Sequence, residues 1–580
     1  MIGIHGILSA SSINKKKIQD ILLKETEGRF ISYQSFSKGL LVKTSLDKFR
    51  KDKMFRKYNK VVFGIDGILL NLKQLLNKNE TNDIGILIMK FYEKNPSIFP
   101  SKLLGSFQGF IYLEKEDTLI LFTDHVGSRP IFYFYDEAEN AFIFSSSFPN
   151  IVKLMQSLGY IPRLNREAAY SLLTFGHMLG DLTLVEGVKR LSPGSVLLYH
   201  DGELAINQYY RLSGNPPISD SEEECTHKIA SKIAKAVYME FAKDLEYGYQ
   251  HLATLSGGLD SRTVIAFAKK LGFKNITCFT YSQSKYLDEK IARRIAYENN
   301  LNFIFFPLDY GNHLIQCMDD VVKINGGLVF YAGICNLYPW LKRLPLKNYG
   351  LLHTGILGGE IFGEYIEFSS TNKYDGLRYF IGGKASRELI AYIVNLIDKE
   401  LKRYDTPEIF KFYNIGVNAQ LTNMHLIDNF IDAISPYIFP ELLEYVMKLP
   451  REYKIYKKIY VKMINMYLPE YAKYTWEHYR IAPKYPLYLN KYYNLTLSIY
   501  TQFLSKFTPY YSMNPFEYWY KKNNALKRGL TLAFKDSISM LNDDSKLKDE
   551  CQYVFEEGNF LEKTAVITLL KALKLFRIVA

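Results

Sequence analysis

The pattern of apolar and polar positions changes near residues 213–221, and it predicts different structures for the parts of the chain before and after these residues. Short apolar runs separated by Gly, Asp or Asn turns recur in the first part, at 61–65, 107–113, 119–123, 131–135, 141–145 and 195–199. Runs of this length between turn residues predict β-strands. We therefore expect a β-rich domain with a few helices.

The second part begins after a stretch rich in Ser, Gly, Asn and Pro, the residues of turns and linkers. Acidic residues at 222–224 then open a helical pattern. Strand patterns at 249–255, 275–281 and 303–307 alternate with helical patterns at 261–271 and 288–299. This alternation predicts a parallel α/β sheet. From about residue 379 onward the pattern is mostly helical, and we expect domains at 1–212 and 222–500 with a helical C-terminal extension at 501–580.

Composition places the chain among ordinary globular proteins. It has 580 residues, of which 48% are hydrophobic and 23% charged. Its five cysteines are scattered without Cys-x-x-Cys spacing, which predicts buried thiols in a reducing compartment rather than a zinc site. No apolar run reaches the roughly 18 residues of a membrane span, and the start lacks signal-peptide features. We expect a cytoplasmic protein without membrane insertion.

The formal net charge of +13 permits anionic partners such as nucleotides, acidic peptides or nucleic acid. The densest basic stretch is 48–60, where Lys and Arg alternate with Phe and Tyr. A solvated surface is the favoured interpretation of this stretch, and a partner site is the alternative.

The strongest chemical signal is the sequence Leu-Ser-Gly-Gly-Leu-Asp-Ser-Arg at 255–262, between a predicted strand and a predicted helix. Two glycines let the backbone approach a phosphate, and successive N–H groups with the helix N-terminus offer it partial positive charge. Ser256 and Ser261 add hydroxyl donors. Asp260 would repel phosphate, so its useful role is to hold Mg²⁺. The loop is not a Walker A loop, because no Gly-Lys-Ser/Thr follows.

The pattern Ser-Gly-Gly-x-Asp-Ser resembles the pyrophosphate-binding loop of ATP pyrophosphatases, which cleave ATP to AMP and pyrophosphate. Residues 354–365 resemble the segment Gly-x-Gly-x-Asp-Glu-x-Phe-Gly-Gly-Tyr of asparagine synthetases. Gly359 stands where that family has its second magnesium-binding Asp, so either Glu360 or Glu364 would take this role, or metal binding would be weakened.

Further matches to the asparagine synthetase family lie at 436–440, 449–450 and 458–462, although Phe439 replaces a family Asp. By this match Lys458 falls on the catalytic lysine, with Lys457 as its close rival. The resemblance implies ATP and Mg²⁺ as cofactors, with Asp260 and Glu360 on the metal and Lys458 and Glu360 in catalysis. It implies nucleotide contacts from Leu255, Ser256, Gly257, Gly258, Asp260, Ser261, Thr280 and Gly355.

The N-terminal part is similar to the glutaminase domain that precedes synthetase domains in this family, with matches at 1–6, 66–71, 123–133 and 191–194. Ile2 replaces the cysteine nucleophile, and Asp66 and Ile68 replace the Asn and Glu that hold glutamine. Glutamine hydrolysis here needs a thiolate and a free α-amine on the same residue. The resemblance therefore implies a degenerate α+β glutaminase-like domain of the Ntn αββα type, followed by an α/β parallel-sheet ATP-pyrophosphatase domain.

The leading hypothesis is a glutamine-independent ligase that adenylates a carboxylate, releases AMP and pyrophosphate, and forms an amide or lactam. The carboxylate substrate could belong to a peptide, as in lasso-peptide macrolactam synthetases, which with β-lactam synthetases have lost this cysteine and use an amine of the substrate. Small-molecule amidation with free ammonia and a non-catalytic partner protein are the alternatives. A tRNA-modifying enzyme is disfavoured by the glutaminase-like domain, and with it a nucleic-acid partner. The sequence leaves the oligomeric state open.

Overall fold

The computed structural model describes residues 2–9, 14–23, 29–367, 383–486, 504 and 507–580. The β-strands belong to three sheets, two in the N-terminal part of the chain and one in the second part. In chain order the strands are β1 (Gly3–Ser9), β2 (Arg29–Phe36), β3 (Gly39–Leu46), β4 (Phe55–Tyr58), β5 (Val61–Leu69), β6 (Gly105–Leu113), β7 (Thr118–Thr123), β8 (Phe132–Asp136), β9 (Ala141–Ser145), β10 (Lys189–Arg190), β11 (Ser195–His200), β12 (Glu203–Gln208), β13 (Gln250–Thr254), β14 (Ile276–Ser282), β15 (Asn302–Pro307), β16 (Tyr349–His353) and β17 (Ala433–Ile434).

The N-terminal part contains two antiparallel sheets of six strands each. Their orders are β10-β8-β9-β1-β3-β2 and β12-β11-β7-β6-β5-β4. One apolar cluster draws residues from both sheets, including Ile4, Leu41, Phe110, Leu121 and Phe144, so the two sheets face each other. Each of the six strands predicted from the apolar runs is present. The expected glutaminase-type α+β architecture is confirmed.

Helices cover the sheets and form the C-terminal part. In the N-terminal part they are α1 (Lys15–Leu23), α2 (Leu72–Lys78), α3 (Ile84–Lys94), α4 (Phe148–Ser157) and α5 (Arg166–Phe175). In the second part they are α6 (Glu222–Glu246), α7 (Asp260–Lys270), α8 (Leu287–Glu298), α9 (His313–Gln316), α10 (Met318–Asn325), α11 (Ala332–Cys335), α12 (Tyr338–Leu341), α13 (Tyr365–Glu367), α14 (Lys384–Glu388), α15 (Val394–Leu401), α16 (Pro407–Lys411), α17 (Thr422–Ile427), α18 (Pro440–Met447), α19 (Arg451–Lys454), α20 (Lys458–Tyr467) and α21 (Pro469–Ala472). The C-terminal helices are α22 (Phe516–Lys522), α23 (Asn524–Ser537), α24 (Ser545–Glu557) and α25 (Phe560–Phe576).

Two π-helical segments, Glu360–Glu364 and Phe412–Leu421, interrupt the regular helices of the second part. Short 3₁₀ turns occur at Phe99–Lys102, Asp309–Gly311, Leu346–Asn348, Leu389–Ile393, Pro436–Ile438, Ile455–Lys457, Pro509–Tyr511 and Ile538–Leu541.

The second part is built on a five-stranded sheet of order β15-β14-β13-β16-β17, in which every neighbouring pair is parallel. The strands and helices predicted between residues 249 and 307 are all present. Helix α6 begins with a capping box, in which Ser221 and Glu224 exchange hydrogen bonds. Since all strands run in one direction, their carboxyl ends meet at one edge, where open α/β sheets bind ligands.

The C-terminal helices pack against both preceding parts of the chain. The indole Nε1 of Trp519 donates to Gln283 Oε1 at 2.9 Å, next to the end of β14. Near the other end, the carbonyl of Phe576 accepts from Gln156 Nε2 at 2.7 Å. The extension therefore bridges the glutaminase-type part and the parallel-sheet part.

The basic stretch at 48–60 is not simply a solvated surface. Lys48 and Lys53 are buried against the second part of the chain. Lys48 Nζ donates to the carbonyl of Leu346 at 2.6 Å, and Lys53 Nζ lies 2.7 Å from Asp432 Oδ2. For these two lysines the surface interpretation is wrong, because their partner is the other half of the same chain.

All five cysteines are free and buried, as the sequence predicted. None of the helices in the described part of the chain is both long and apolar enough to cross a bilayer.

Candidate active site

A cavity of about 490 Å³ lies at the carboxyl ends of β13, β14 and β16. It leaves space beside the glycine loop that follows β13. The cavity brings together most of the residues predicted from sequence, namely Leu255, Ser256, Gly258, Asp260, Ser261, Thr280, Gly355 and Glu360. Gly257 is not among the lining residues, because its N–H points to Asp288 Oδ1 at 2.7 Å.

Side chains hold the loop in shape. Ser256 N donates to Ser261 Oγ at 3.0 Å, and Gly258 N donates to Ser256 Oγ at 3.2 Å. The amides of Gly257 and Gly258 thus already have acceptors, which the sequence interpretation did not foresee. Helix α7 starts at Asp260 without a side-chain cap, so its N-terminus presents partial positive charge at the cavity wall.

The segment after β16 packs tightly against this loop and requires glycine. A Cβ on Gly355 would stand 2.4 Å from Ser261 N, and one on Gly358 would stand 2.8 Å from Asp260 Oδ1. Real Cβ atoms do not approach this closely. Two motifs that are distant in sequence therefore form one wall.

Beneath this wall, three carboxylates surround a single lysine. Asp260, Glu360 and Glu364 all interact electrostatically with Lys457, whose Nζ forms an ion pair with Glu364. Burial, together with Glu364, raises the pKa of Asp260 to about 6. Burial opposes the charge of Lys457, but Glu364 and Asp260 raise its pKa above the usual range. Both Tyr456 and Lys457 have left-handed backbone, with φ of 55° and 56°, a conformation that such residues keep only where the surroundings impose it.

Gly359, at the position of the missing family Asp, faces this cluster. A Cβ built there would lie 2.5 Å from Lys457 Nζ, 2.8 Å from Glu364 Oε1 and 3.1 Å from Asp260 Oδ2. The carboxylate of Glu364 therefore occupies the space that a side chain at residue 359 would enter.

The donor set fits Mg²⁺. This ion prefers carboxylate oxygens, and Asp260 Oδ1 is shielded from solvent and accepts no hydrogen bond from the described residues. Glu360, which the sequence placed on the metal, has one oxygen engaged, since its Oε1 accepts from Gln420 Nε2 at 2.6 Å. Burial, then Glu364 and Asp260, raise the pKa of Glu360 to about 8.

Neither Lys457 nor Lys458 is among the residues that line the cavity, and Lys458 also lies outside the carboxylate cluster. Its Nζ lies 2.6 Å from Glu222 Oε2, and its side chain is 45% exposed. Lys457, the rival in the sequence interpretation, is the lysine that lies beside Asp260 and Glu364. The geometry therefore favours Lys457 over Lys458 as the candidate lysine of the site.

The nucleophile position of the first domain is filled by a buried side chain. Ile2 is buried, and its N–H donates to Asn429 Oδ1 of the second part at 3.3 Å. Asp66 Oδ2 lies 2.9 Å from Arg129 Nη1, and Arg129 Nη2 lies 2.6 Å from Asp432 Oδ1. Asp66 is therefore committed to an ion pair in a buried interdomain network. A bulky residue such as Ile2 is expected to leave Met1 in place, and Met1 lies outside the described residues.

Several lining residues had no distinctive sequence signal. Gln420, Asn423, Glu477 and Met513 line the cavity but lie in ordinary helical or irregular sequence. Asp288 stands out in the sequence only as the start of the helical pattern predicted after the second strand. Its contact with the loop becomes visible only when β13 and β14 lie side by side.

Fold and site together define a class of protein: a glutaminase-type domain joined to a parallel-sheet domain with a glycine loop at the carboxyl edge. Residues 48–210 match the glutamine amidotransferase domain family, and residues 228–379 match the asparagine synthase family. The two matches, in this order along the chain, support a relationship to the asparagine synthetase family.

A relative in Methanocaldococcus jannaschii, named asparagine synthetase 2 (glutamine-hydrolyzing), is 25% identical over 329 residues. The match covers 53% of this chain and 59% of that relative's length. Among solved structures, an allosteric regulatory enzyme of purine biosynthesis aligns at 12% identity with a TM-score of 0.26, covering 52% of this chain and 80% of its own. An NMN synthetase from Francisella tularensis aligns at 14% identity with a TM-score of 0.17, covering 41% of this chain and 97% of its own.

Proposed function

We propose that this chain is an ATP-dependent carbon–nitrogen ligase that adenylates a carboxylate and then forms an amide or lactam without glutamine. The observation that carries the proposal is the cavity beside the Ser256–Ser261 loop, whose lining residue Asp260 also belongs to the cluster with Glu364 and Lys457. The family relationship supports it, since residues 228–379 match the asparagine synthase family.

In the first step a carboxylate oxygen of the substrate attacks the α-phosphorus of ATP, and the bond to pyrophosphate breaks. The Ser256 and Ser261 hydroxyls are 3.1 Å apart and share one hydrogen bond, which leaves one O–H donor for the phosphates beside the uncapped N-terminus of α7. Bound Mg²⁺ would neutralise the departing pyrophosphate. Asp260 and Glu364 would hold this ion, with Glu364 in place of the missing family Asp at residue 359.

In the second step the amine nitrogen attacks the acyl carbon, the bond from that carbon to the AMP oxygen breaks, and the amine loses a proton. Negative charge develops on the acyl oxygen. We assign its stabilisation to Lys457 rather than Lys458, because Lys457 lies beside Asp260 and its cationic form is favoured by Glu364.

Glutamine independence is proposed from three features of the first domain. Ile2 offers no nucleophile, Ile68 is buried and apolar, and Asp66 is paired with Arg129. The acceptor would then be free ammonia or an amine carried by a substrate. Peptide macrolactam formation and small-molecule amidation are both versions of this reaction.

A non-catalytic partner protein is the second candidate, since Ile2, Gly359 and Phe439 depart from the family. The position of Glu364 beside Gly359 weighs against it, because the lost carboxylate has a spatial substitute.

The test is ATP–pyrophosphate exchange by the full chain with Mg²⁺, screened against carboxylic acids and peptides. Exchange that depends on one acid is expected, and Asp260→Ala should abolish it while the exposed Asp549→Ala should not. Exchange that survives unchanged in Asp260→Ala would remove that residue from the mechanism. Failure of the full chain to bind Mg²⁺–ATP would refute the proposal.

A further inference from the structure

The cavity contains two amide oxygens that have no hydrogen-bond donor. Gln420 Oε1 and Asn423 Oδ1 are shielded from solvent, and neither accepts a hydrogen bond from the described residues. For Gln420 the orientation of the amide is set by its other end, because Nε2 donates to Glu360 Oε1 at 2.6 Å. Buried carbonyl oxygens in native proteins nearly always have a donor, so this pair indicates a missing ligand or water.

The chemistry of this end of the cavity selects hydrogen-bond donors. Gln420 and Asn423 each bring an unpartnered amide oxygen to this end of the cavity, which Glu360 also lines. An ammonium group carries three N–H donors and no acceptor. It would supply the donors that the two amide oxygens lack.

The helix that bears these amides continues as an apolar surface. Gln420, near the end of the π-helical segment, and Asn423, Met424 and Ile427 of α17 all line the cavity and form one stripe along its wall. The first two are polar and the last two apolar. Since an α-helix rises 1.5 Å per residue, the α17 part of this stripe is roughly 6 Å long.

A second set of apolar residues also lines the cavity. Ile334 and Leu337 line the cavity from α11 and the residues after it. The two sets of lining residues approach each other at Gly333, where an added Cβ would stand 3.4 Å from Asn423 Nδ2. A ligand in this space would have its polar head at Gln420 and an apolar body beyond it.

We propose that the Glu360–Gln420–Asn423 end of the cavity binds the amino group of the acceptor substrate, and that the acceptor is a primary amine on an apolar body rather than free ammonia. This inference rests on the proposed ligase function, because it names the class of amine that the same site would use. It narrows the class of the amine acceptor and leaves the carboxylic acid substrate unidentified.

The inference is tested by binding, without turnover. The full chain is titrated with n-pentylamine, pentan-1-ol or ammonium chloride at constant ionic strength, and binding is followed by ligand-observed NMR. We expect n-pentylamine to bind at least about tenfold more tightly than either comparison ligand, as loss of a charged hydrogen bond or of the apolar body implies. Equal binding of n-pentylamine and pentan-1-ol would overturn the proposal, as would equal binding of n-pentylamine and ammonium.

Variants then locate the binding. Gln420→Met and Asn423→Leu, which keep the approximate volume, should each weaken n-pentylamine by about fivefold to twentyfold. Gln552→Met is the matched control, because Gln552 donates to Glu556 Oε1 at 3.0 Å on an exposed helix face. Wild-type affinity in both cavity variants would place the amine elsewhere.

Binding of Mg²⁺–ATP, measured on the same samples, reports that each variant is folded. It also separates the two proposals. A wild-type chain that binds Mg²⁺–ATP but not n-pentylamine would refute only the amine site. A chain that binds n-pentylamine but not Mg²⁺–ATP would refute the ligase function and leave the amine site supported.

Discussion

The carboxylate of Glu364 crowds Gly359, because its Oε1 lies 2.8 Å from the position that a Cβ on Gly359 would take. The two residues are five positions apart and are joined by a π-helical turn at Glu360–Glu364, inside which Gly363 has a φ of 144°. A Cβ on Gly363 would stand 2.3 Å from the carbonyl of Lys454, so this turn depends on glycine. The turn carries Glu364 back over Gly359.

The first prediction follows from the proposal that the carboxylate of Glu364 substitutes for the Asp that is missing at residue 359. Glu364→Ala should weaken Mg²⁺-dependent ATP binding by about tenfold to a hundredfold, the range for altered metal sites. Gly359→Asp alone should also weaken it, because the new side chain would collide with Lys457 and Glu364. The double variant should recover most of the loss. Mg²⁺ titration of ATP binding measures the affinity of all three variants. A double variant that binds Mg²⁺–ATP more weakly than either single variant would contradict the idea that Glu364 substitutes for an Asp at residue 359.

The second prediction separates two adjacent lysines. Lys457→Met should lower the turnover number by about a hundredfold to a thousandfold, as loss of a transition-state charge partner does. Lys458→Met should change it less than threefold, because that side chain is half exposed and pairs with Glu222. Turnover of the two variants, with thermal unfolding to confirm the fold, decides between them. The reverse order of effects would restore Lys458 as the catalytic lysine.

The third prediction concerns glutamine. Ile2→Cys should leave glutamine hydrolysis at background, because Asp66 is held by Arg129 and Ile68 is buried and apolar. Glutamate release, measured with and without ATP, provides the assay. Measurable glutaminase activity in this single variant would show that the pocket has kept its specificity.

The fourth prediction is a pH dependence of stability. His353 Nε2 lies 2.7 Å from Asp244 Oδ2, its Nδ1 lies 3.5 Å from Glu240 Oε2, and His251 Nδ1 contacts the same Asp244 oxygen at 2.8 Å. Burial opposes the charge of His353, but Asp244 and Glu240 raise its pKa to about 9. Burial raises the pKa of Glu240 to about 7.

Both pKa values lie above those of the unfolded chain, so the folded state binds more protons and stability falls as pH rises. The contribution of His353 is complete below its ordinary pKa of 6.5 and is lost as pH passes about 9. Its size is about 3 kcal/mol in the free energy of unfolding. Urea unfolding at pH 6, 8 and 10 should show this decline in the wild type and a shallower one in His353→Gln. A free energy of unfolding that stays constant between pH 6 and 10 would refute this prediction.

The fifth prediction tests the buried network between the two halves. Asp432→Asn removes the carboxylate that pairs with Lys53, and it also removes one of the carboxylates that pair with Arg129. Breaking a buried pair in this way costs about 3–5 kcal/mol. Asp117→Asn is the control, since the Lys38–Asp117 pair is exposed and should contribute under about 1 kcal/mol. Similar losses in both variants would mean that the network does not bind the halves together.

Local sequence predicted the elements well. The runs at 61–65, 107–113 and 119–123 became β5, β6 and β7, and the alternation after residue 249 became the parallel sheet. These elements depend on side-chain periodicity and turn residues within a few positions of each other. The loop at 255–262 was recognisable for the same reason, because its glycines and serines act within one strand-to-helix turn.

Contacts between distant segments were decided by the tertiary structure. Left-handed backbone at Tyr456 and Lys457 turns one lysine toward Asp260 and leaves Lys458 outside. Packing of the two halves buried Lys53 against Asp432, although the sequence around Lys53 predicts a charged surface. Gln420 shows the same limit, since its role depends on Glu360, 60 positions away. Periodicity specifies which face of an element is apolar, whereas the meeting of two polar side chains depends on where every intervening element packs.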